Sequence, residues 1–276
     1  MIKFAVMEED VDKRESLPQN FPQVKFEIDL NLDVWKISNF WADDGSRRRG
    51  SADFRQRLVK AHPTLGGLGT LSPPQRDAKI RTYIQDYYHE HADKFSTAAS
   101  GISQERDRYA QQFFEATGKR FRGLVWPSGK YMGFVSICPP FPRFLHDKTF
   151  QVPDGSAERC IRVAAHEMLH FLFYEYVRQR YVFRMVNTVE RDMDREMKGR
   201  LTIPLWELSE IFNIAVLTPE NFGEGGQADS QVQYRFYQHL DPYVPTFERV
   251  WREAEQDVSK LFDRLEKGLS DGWGNS

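Results

Sequence analysis

Cysteine is scarce in this chain. There are two, Cys138 and Cys160, in 276 residues. They form no Cys-x-x-Cys pair, so a cysteine-built metal site is not expected. Two thiols in so long a chain do not make a secreted disulfide scaffold. An excess of charge of one sign is missing too. The formal net charge is -2, which creates no global field to attract nucleic acid or a membrane surface. The basic run Arg47-Arg48-Arg49 follows Asp43 and Asp44 and reads as a solvated loop. No stretch approaches the roughly 18 apolar residues of a membrane span. Residues 1–10 hold too short an apolar stretch for a secretory leader and turn acidic at Glu8-Glu9-Asp10. No Gly-Lys-Ser/Thr follows the cluster Gly66-Gly67-Leu68-Gly69, which reads as a loop and not as a phosphate cradle. There is no internal repeat and no low-complexity tract. These absences lead to the expectation of a soluble protein of a reducing compartment, most simply the cytoplasm. They suggest no nucleic-acid partner and no membrane partner, and they leave the oligomeric state open.

What the chain does have is core-forming sequence: 40% hydrophobic residues, with aromatics at 14%. The expected fold class is α+β, mostly helical with a small mixed sheet. Residues 24–34 alternate apolar and polar, the period of a half-buried strand, and residues 2–7 form a short apolar run. Helices are expected over 75–95 and 103–118. Strands are expected at 121–126, 131–138 and 144–152, the last two separated by Pro139, Pro140 and Pro142. After these come a buried helix capped near Asp154 or Ser156 with Glu158 in its first turn, a charged helix over 188–198, a helix over 205–217 opened by Pro204, and a long amphipathic helix over 245–268. The early strands either join the later sheet or form a separate hairpin. Residues 1–100 read as an amino-terminal region of unassigned role, and residues 101–276 as the domain that carries the chemistry.

That chemistry is concentrated in His166-Glu167-Met168-Leu169-His170. Histidines four apart lie one above the other on a helix face, so their imidazoles can hold one metal ion. Glu167 points about 100° round the helix, toward a water on that ion. Hydrolysis by zinc needs this set: two neutral nitrogen ligands, an open coordination position and a carboxylate base beside it. The surrounding window 161–177 has no Gly or Pro and is apolar nearly all round, which marks a buried helix. Buried histidines and a buried glutamate need partners. The competing explanation is two core histidines hydrogen-bonded to backbone carbonyls.

A two-histidine site needs a third protein ligand. Glu190, with Asp194 four residues on, lies in the charged stretch 188–198, which reads as solvated on every face. Glu210 lies in 205–217, which is apolar almost throughout, and a ligating carboxylate belongs on a packed element with supporting hydrogen bonds. Glu210 is therefore the expected ligand over Glu190 and Glu207, with Asn213 one turn on as a possible support. His89 and His91, two apart, diverge on a helix and cannot share an ion.

His166-Glu167-Met168-Leu169-His170 with a downstream glutamate resembles the zincin metallopeptidases, and within them the gluzincins. The resemblance covers roughly residues 102–240. The glycine and third histidine of the metzincin extension are absent after His170. The position four residues after Glu210 is Ile214, where the thermolysin-type pattern has Asp. The resemblance implies Zn²⁺ held by His166, His170 and Glu210, with Glu167 as general base in the hydrolysis of a peptide or protein substrate. It further implies an oxyanion donor downstream, for which Tyr234, Tyr237 and His239 are the candidates. It places substrate along the strand before the active helix, where His146 lies. Two other outcomes stay open: a zincin fold that binds a partner without cutting, and a zinc hydrolase of a non-peptide amide.

Overall fold

The computed structural model describes residues 21–42, 51–139, 141–181, 193, 195, 197, 204–218 and 240–268. Four strands form one mixed sheet: β1 (Val24–Glu27), β2 (Tyr131–Ser136), β3 (Arg143–Phe144) and β4 (Thr149–Pro153), in the order β1-β2-β4-β3. β1, β2 and β4 run parallel, and β3 returns antiparallel along the edge of β4. The register aligns Phe26, Gly133 and Phe150 across the three parallel strands. A Cβ on Gly133 would lie 2.5 Å from the Phe26 ring and 3.1 Å from the Phe150 ring. Glycine at the centre of β2 is what lets the two rings meet edge to face, 6.2 Å apart.

The α-helices whose bounds are described are α1 (Leu30–Ala42), α2 (Ser51–Ala61), α3 (Pro73–Glu90), α4 (Ala92–Arg120), α5 (Ala157–Arg180), α6 (Leu205–Val216), α7 (Val244–Glu253) and α8 (Val258–Gly268). The fold is thus α+β, mostly helical with a small mixed sheet. α5 covers one face of the sheet, its Phe171 ring 5.4 Å from Tyr131 and 6.3 Å from Phe150. α1 covers the other. There Asp33 and Lys36, one turn apart, are completely buried. Lys36 Nζ donates to Ser136 Oγ and to the Cys138 carbonyl at 2.6 Å each and to Gln151 Oε1 at 2.8 Å, and lies 3.1 Å from Asp33 Oδ1. Asp33 in turn accepts from Tyr88 at 2.8 Å, Ser136 at 2.6 Å and Gln151 at 2.9 Å. Every charge in this cluster is met, as a buried ion pair requires. Among the described residues no helix is long and apolar enough to cross a membrane.

Several local expectations are corrected. The alternation over 24–34 is a strand only to Glu27. Asp29 Oδ1 then accepts from the backbone N–H of Asn31 and Leu32, at 2.9 and 3.1 Å, and starts α1. β1 joins the sheet, while residues 2–7 lie outside the described residues. Residues 121–126 form no strand. Gly123 N–H bonds back to the Gly118 carbonyl at 3.1 Å with Arg122 and Gly123 at positive φ, a helix-ending turn. The single strand expected over 144–152 is a hairpin, β3 to β4, reversing through Lys148 at φ 53. The 245–268 helix is two, because Glu255 and Gln256 both adopt positive φ between α7 and α8. α2 was not foreseen; it is amphipathic and buries Phe54 and Leu58, one turn apart.

Candidate metal centre

α5 starts where expected. Ser156 Oγ accepts from Arg159 N at 3.3 Å, Glu158 lies in the first turn, and Arg178 and Arg180 lie in the last. Its middle is buried from Val163 through Tyr174 but for the half-buried Ala165, so His166, Glu167 and His170 all sit inside the protein. α6 follows Pro204 and is buried along nearly its whole length. Phe212 seats it: its ring is 5.2 Å from Phe173 of α5, 5.8 Å from Phe121 and 5.6 Å from Trp251 of α7. That packing brings Glu210, 2% exposed, over the two histidines.

His166 Nε2 lies 3.1 Å from His170 Nε2 and 3.2 Å from Glu210 Oε2, and His170 Nε2 lies 3.4 Å from Glu210 Oε1. Ligand atoms at about 2.0–2.1 Å from a tetrahedral zinc are about 3.3 Å apart, so these spacings and the two-nitrogen, one-oxygen donor set fit the ion. His166, His170 and Glu210 are the one group of this kind among the described residues. Glu207, a turn earlier on α6, is buried but outside it. Glu167 is likewise outside the set yet adjacent, with Oε1 3.9 Å from His166 Nε2. Its turn round the helix keeps it from ligating and leaves it facing the same space.

The site sets an ionised carboxylate beside buried imidazoles. Burial, reinforced by the positive Arg143, pushes the His170 imidazolium down to about 3, so the ring is neutral near neutral pH and its lone pair is free of a proton. Burial works to raise the Glu210 carboxyl, but His170, the hydrogen bonds from both histidines and Arg143 outweigh it and hold it well below the usual carboxylate range. His170 Nδ1 is buried and makes no hydrogen bond among the described residues. Asn213 does support the site, though through the backbone: its side-chain amide donates to the His166 carbonyl at 2.9 Å.

Arg143, on the edge strand β3, is the site residue that sequence reasoning missed. Its Nη1 is 3.3 Å from Glu210 Oε1 and 3.5 Å from Glu167 Oε2, and its guanidinium lies 5.8 Å from the centre of the Tyr174 ring. One signal was available. Arg143 is the only charged residue in the apolar stretch 131–145, and a lone charge in such a setting needs a partner. His146 is exposed in the β3–β4 turn, away from the three clustered ligands. Glu190, Asp194, Tyr234, Tyr237 and His239 lie outside the described residues. The solvated reading of 188–198 fails at Met193 and Met197, which are 3% and 1% exposed; four apart, they give that stretch a buried edge. Exposure therefore does not separate Glu190 from Glu210; the placement of Glu210 beside both histidines is what favours it.

The chain matches no family model, no curated protein and no solved structure.

Proposed function

We propose that the protein is a zinc-dependent peptide hydrolase of gluzincin-like type. His166, His170 and Glu210 are the metal ligands, and Glu167 is the general base. The observation that carries the reading is the convergence of three buried ligand atoms from two helices within 4.8 Å of one another, with a further carboxylate beside them. Chance core packing has no reason to gather neutral imidazoles and an ionised carboxylate at ligand–ligand spacing.

Zinc bound there supplies Lewis-acid activation of a water and of the substrate carbonyl. Glu167 accepts the proton of the water as its oxygen bonds to the amide carbon, and passes that proton to the amine nitrogen as the C–N bond breaks. The packed helices α5 and α6 hold the ligands in place, which avoids reorganisation during turnover.

The test is metal analysis of the purified protein beside digestion of a diverse peptide library by wild type and Glu167→Gln. Expected are one zinc per chain in both and turnover at least about 10²-fold lower in the variant. A protein free of transition metal whose stability ignores chelators would sink the metal reading. A zinc protein that leaves the library uncut would sink the peptidase reading and point to a non-cutting module or to a non-peptide amide.

A further inference from the structure

A groove of about 510 Å³ lies where β1 and β2 begin, within the usual size of a small-ligand site. Its lining comes from the segments 21–27 and 126–132, with Phe21, Lys25, Glu27, Trp126, Lys130 and Met132 among it. Nothing from α5, α6 or β3 contributes, so the groove is separate from the candidate metal centre. Its apolar wall is held from behind by α4. Phe21 stacks on Phe114 with ring centroids 4.8 Å apart, and Trp126 meets the same ring edge to face at 5.3 Å. A wall fixed in advance lowers the ordering cost of binding.

The charges of the groove lie along one sheet face. Side chains alternate along a strand. Val24 and Phe26 turn with Tyr131 and Gly133 toward α5, so Lys25 and Glu27 turn the other way, beside Met132. α1 covers that face at the far ends of β2 and β4, where Lys36 reaches Ser136 and Gln151, and it leaves Lys25 and Glu27 exposed. Lys25 is level with Met132, and Lys130 stands two residues before Met132. Their Cα atoms are therefore about 8 Å apart, close enough for two long side chains to meet one anion. Glu27 lies two residues beyond Lys25, about 10 Å along the strands from the midpoint of the lysines. Among the described residues the side chains of Lys25, Glu27 and Lys130 make no hydrogen bond and no ion pair.

Two cations at one end, a carboxylate at the other and an apolar wall between them complement a zwitterion. An extended chain of three residues reaches about 10 Å. An inorganic anion would leave Glu27 and the wall unused. A neutral apolar ligand would leave all three charges unused. We propose that this groove binds a short peptide with free termini. Its carboxylate lies between Lys25 and Lys130, its ammonium group meets Glu27, and an apolar side chain rests on the Phe21–Trp126 wall. Capture of a free peptide end is a recurring mode of recognition. The site does not depend on the metal-centre reading.

The experiment uses the full chain carrying Glu167→Gln, so that the probe is not consumed. The probes are the tripeptide alanyl-alanyl-phenylalanine, its N-acetyl form and its C-terminal amide, titrated by calorimetry. Expected is tightest binding of the free tripeptide, with about threefold or more lost on acetylation or amidation. Adding Glu27→Gln should cost the free tripeptide the same factor and leave the acetylated form unchanged. Adding Lys25→Met or Lys130→Met should weaken the free tripeptide and leave the amide unchanged. These three side chains are exposed, so the variants should unfold in urea as the parent does. Three forms that bind equally, or losses that the matching variants do not reproduce, overturn the proposal. So does a tripeptide whose affinity ignores all three substitutions and falls when metal is removed, because it then binds at the candidate metal centre. A parent that binds none of the three probes overturns it as well and leaves the metal reading untouched.

Discussion

The side-chain amide of Asn213 donates to the backbone carbonyl of His166 at 2.9 Å. This bond ties α6 to α5 alongside the packing of Phe212. Glu210 lies three residues before Asn213, so the bond helps set which turn of α6 faces the histidines. Asn213→Leu should weaken metal binding by about tenfold or more, because supporting hydrogen bonds typically carry that much ligand affinity. Stability without metal should fall by about 1 kcal/mol. Chelator competition and urea unfolding read the two effects separately. Equal metal affinity in wild type and variant would remove Asn213 from the site.

The third ligand can be tested by near-isosteric substitutions that remove the carboxylate charge. Glu210→Gln should lose stoichiometric metal, whereas Glu190→Gln should keep it. The basis is the position of Glu210 against both imidazoles, 3.2 and 3.4 Å away. The reverse result in elemental analysis would place the ligand on the stretch around Glu190.

Gly133→Ala should destabilise the protein by about 1–3 kcal/mol, the usual range for forcing a methyl group into a filled core. Its Cβ would arrive 2.5 Å from the Phe26 ring. Ring movement can relieve part of that clash, so the lower end would mean that Phe26 yields. A variant as stable as wild type in chemical denaturation would show that the β1–β2–β4 register differs.

Lys36→Met should cost about 3–5 kcal/mol, because it leaves Asp33 charged and buried without its cation. The double variant Asp33→Leu/Lys36→Met should recover part of that loss, since it leaves no buried charge unpaired and Ser136 can still donate to the Cys138 carbonyl. A double-variant cycle with no coupling would show that the pair does not act as a unit.

Sequence reasoning read α5 and α6 well because their signals are local. Ser156 caps, Pro204 opens, and apolar residues recur at helical spacing without Gly or Pro. It misread 24–34 because Leu30, Leu32 and Val34 continue the alternation of β1 by coincidence, while the capping bonds of Asp29 decide the conformation. It misread 245–268 because the apolar stripe resumes after Asp257 in nearly the same phase, hiding a break that exists only in the backbone angles of Glu255 and Gln256. Arg143 and Lys36 were not recognised for a different reason. Their partners lie 67 and 100 residues away, at Glu210 and Ser136, and nothing in a local window reports a contact made by sheet topology.

The Lys36 cluster ties the beginning of the described chain to the loop that leads into β3, since Lys36 holds the Cys138 carbonyl just ahead of Arg143. A shortened protein that kept every candidate ligand but began after α1 would leave Ser136, Gln151 and that carbonyl without their cation. It would also uncover the β2 edge that β1 now pairs with, an invitation to self-association. The chemistry-bearing helices are therefore not portable: grafting them elsewhere, or trimming what precedes them, would take along the ligands and leave behind the hidden lysine that steadies the rim of the site.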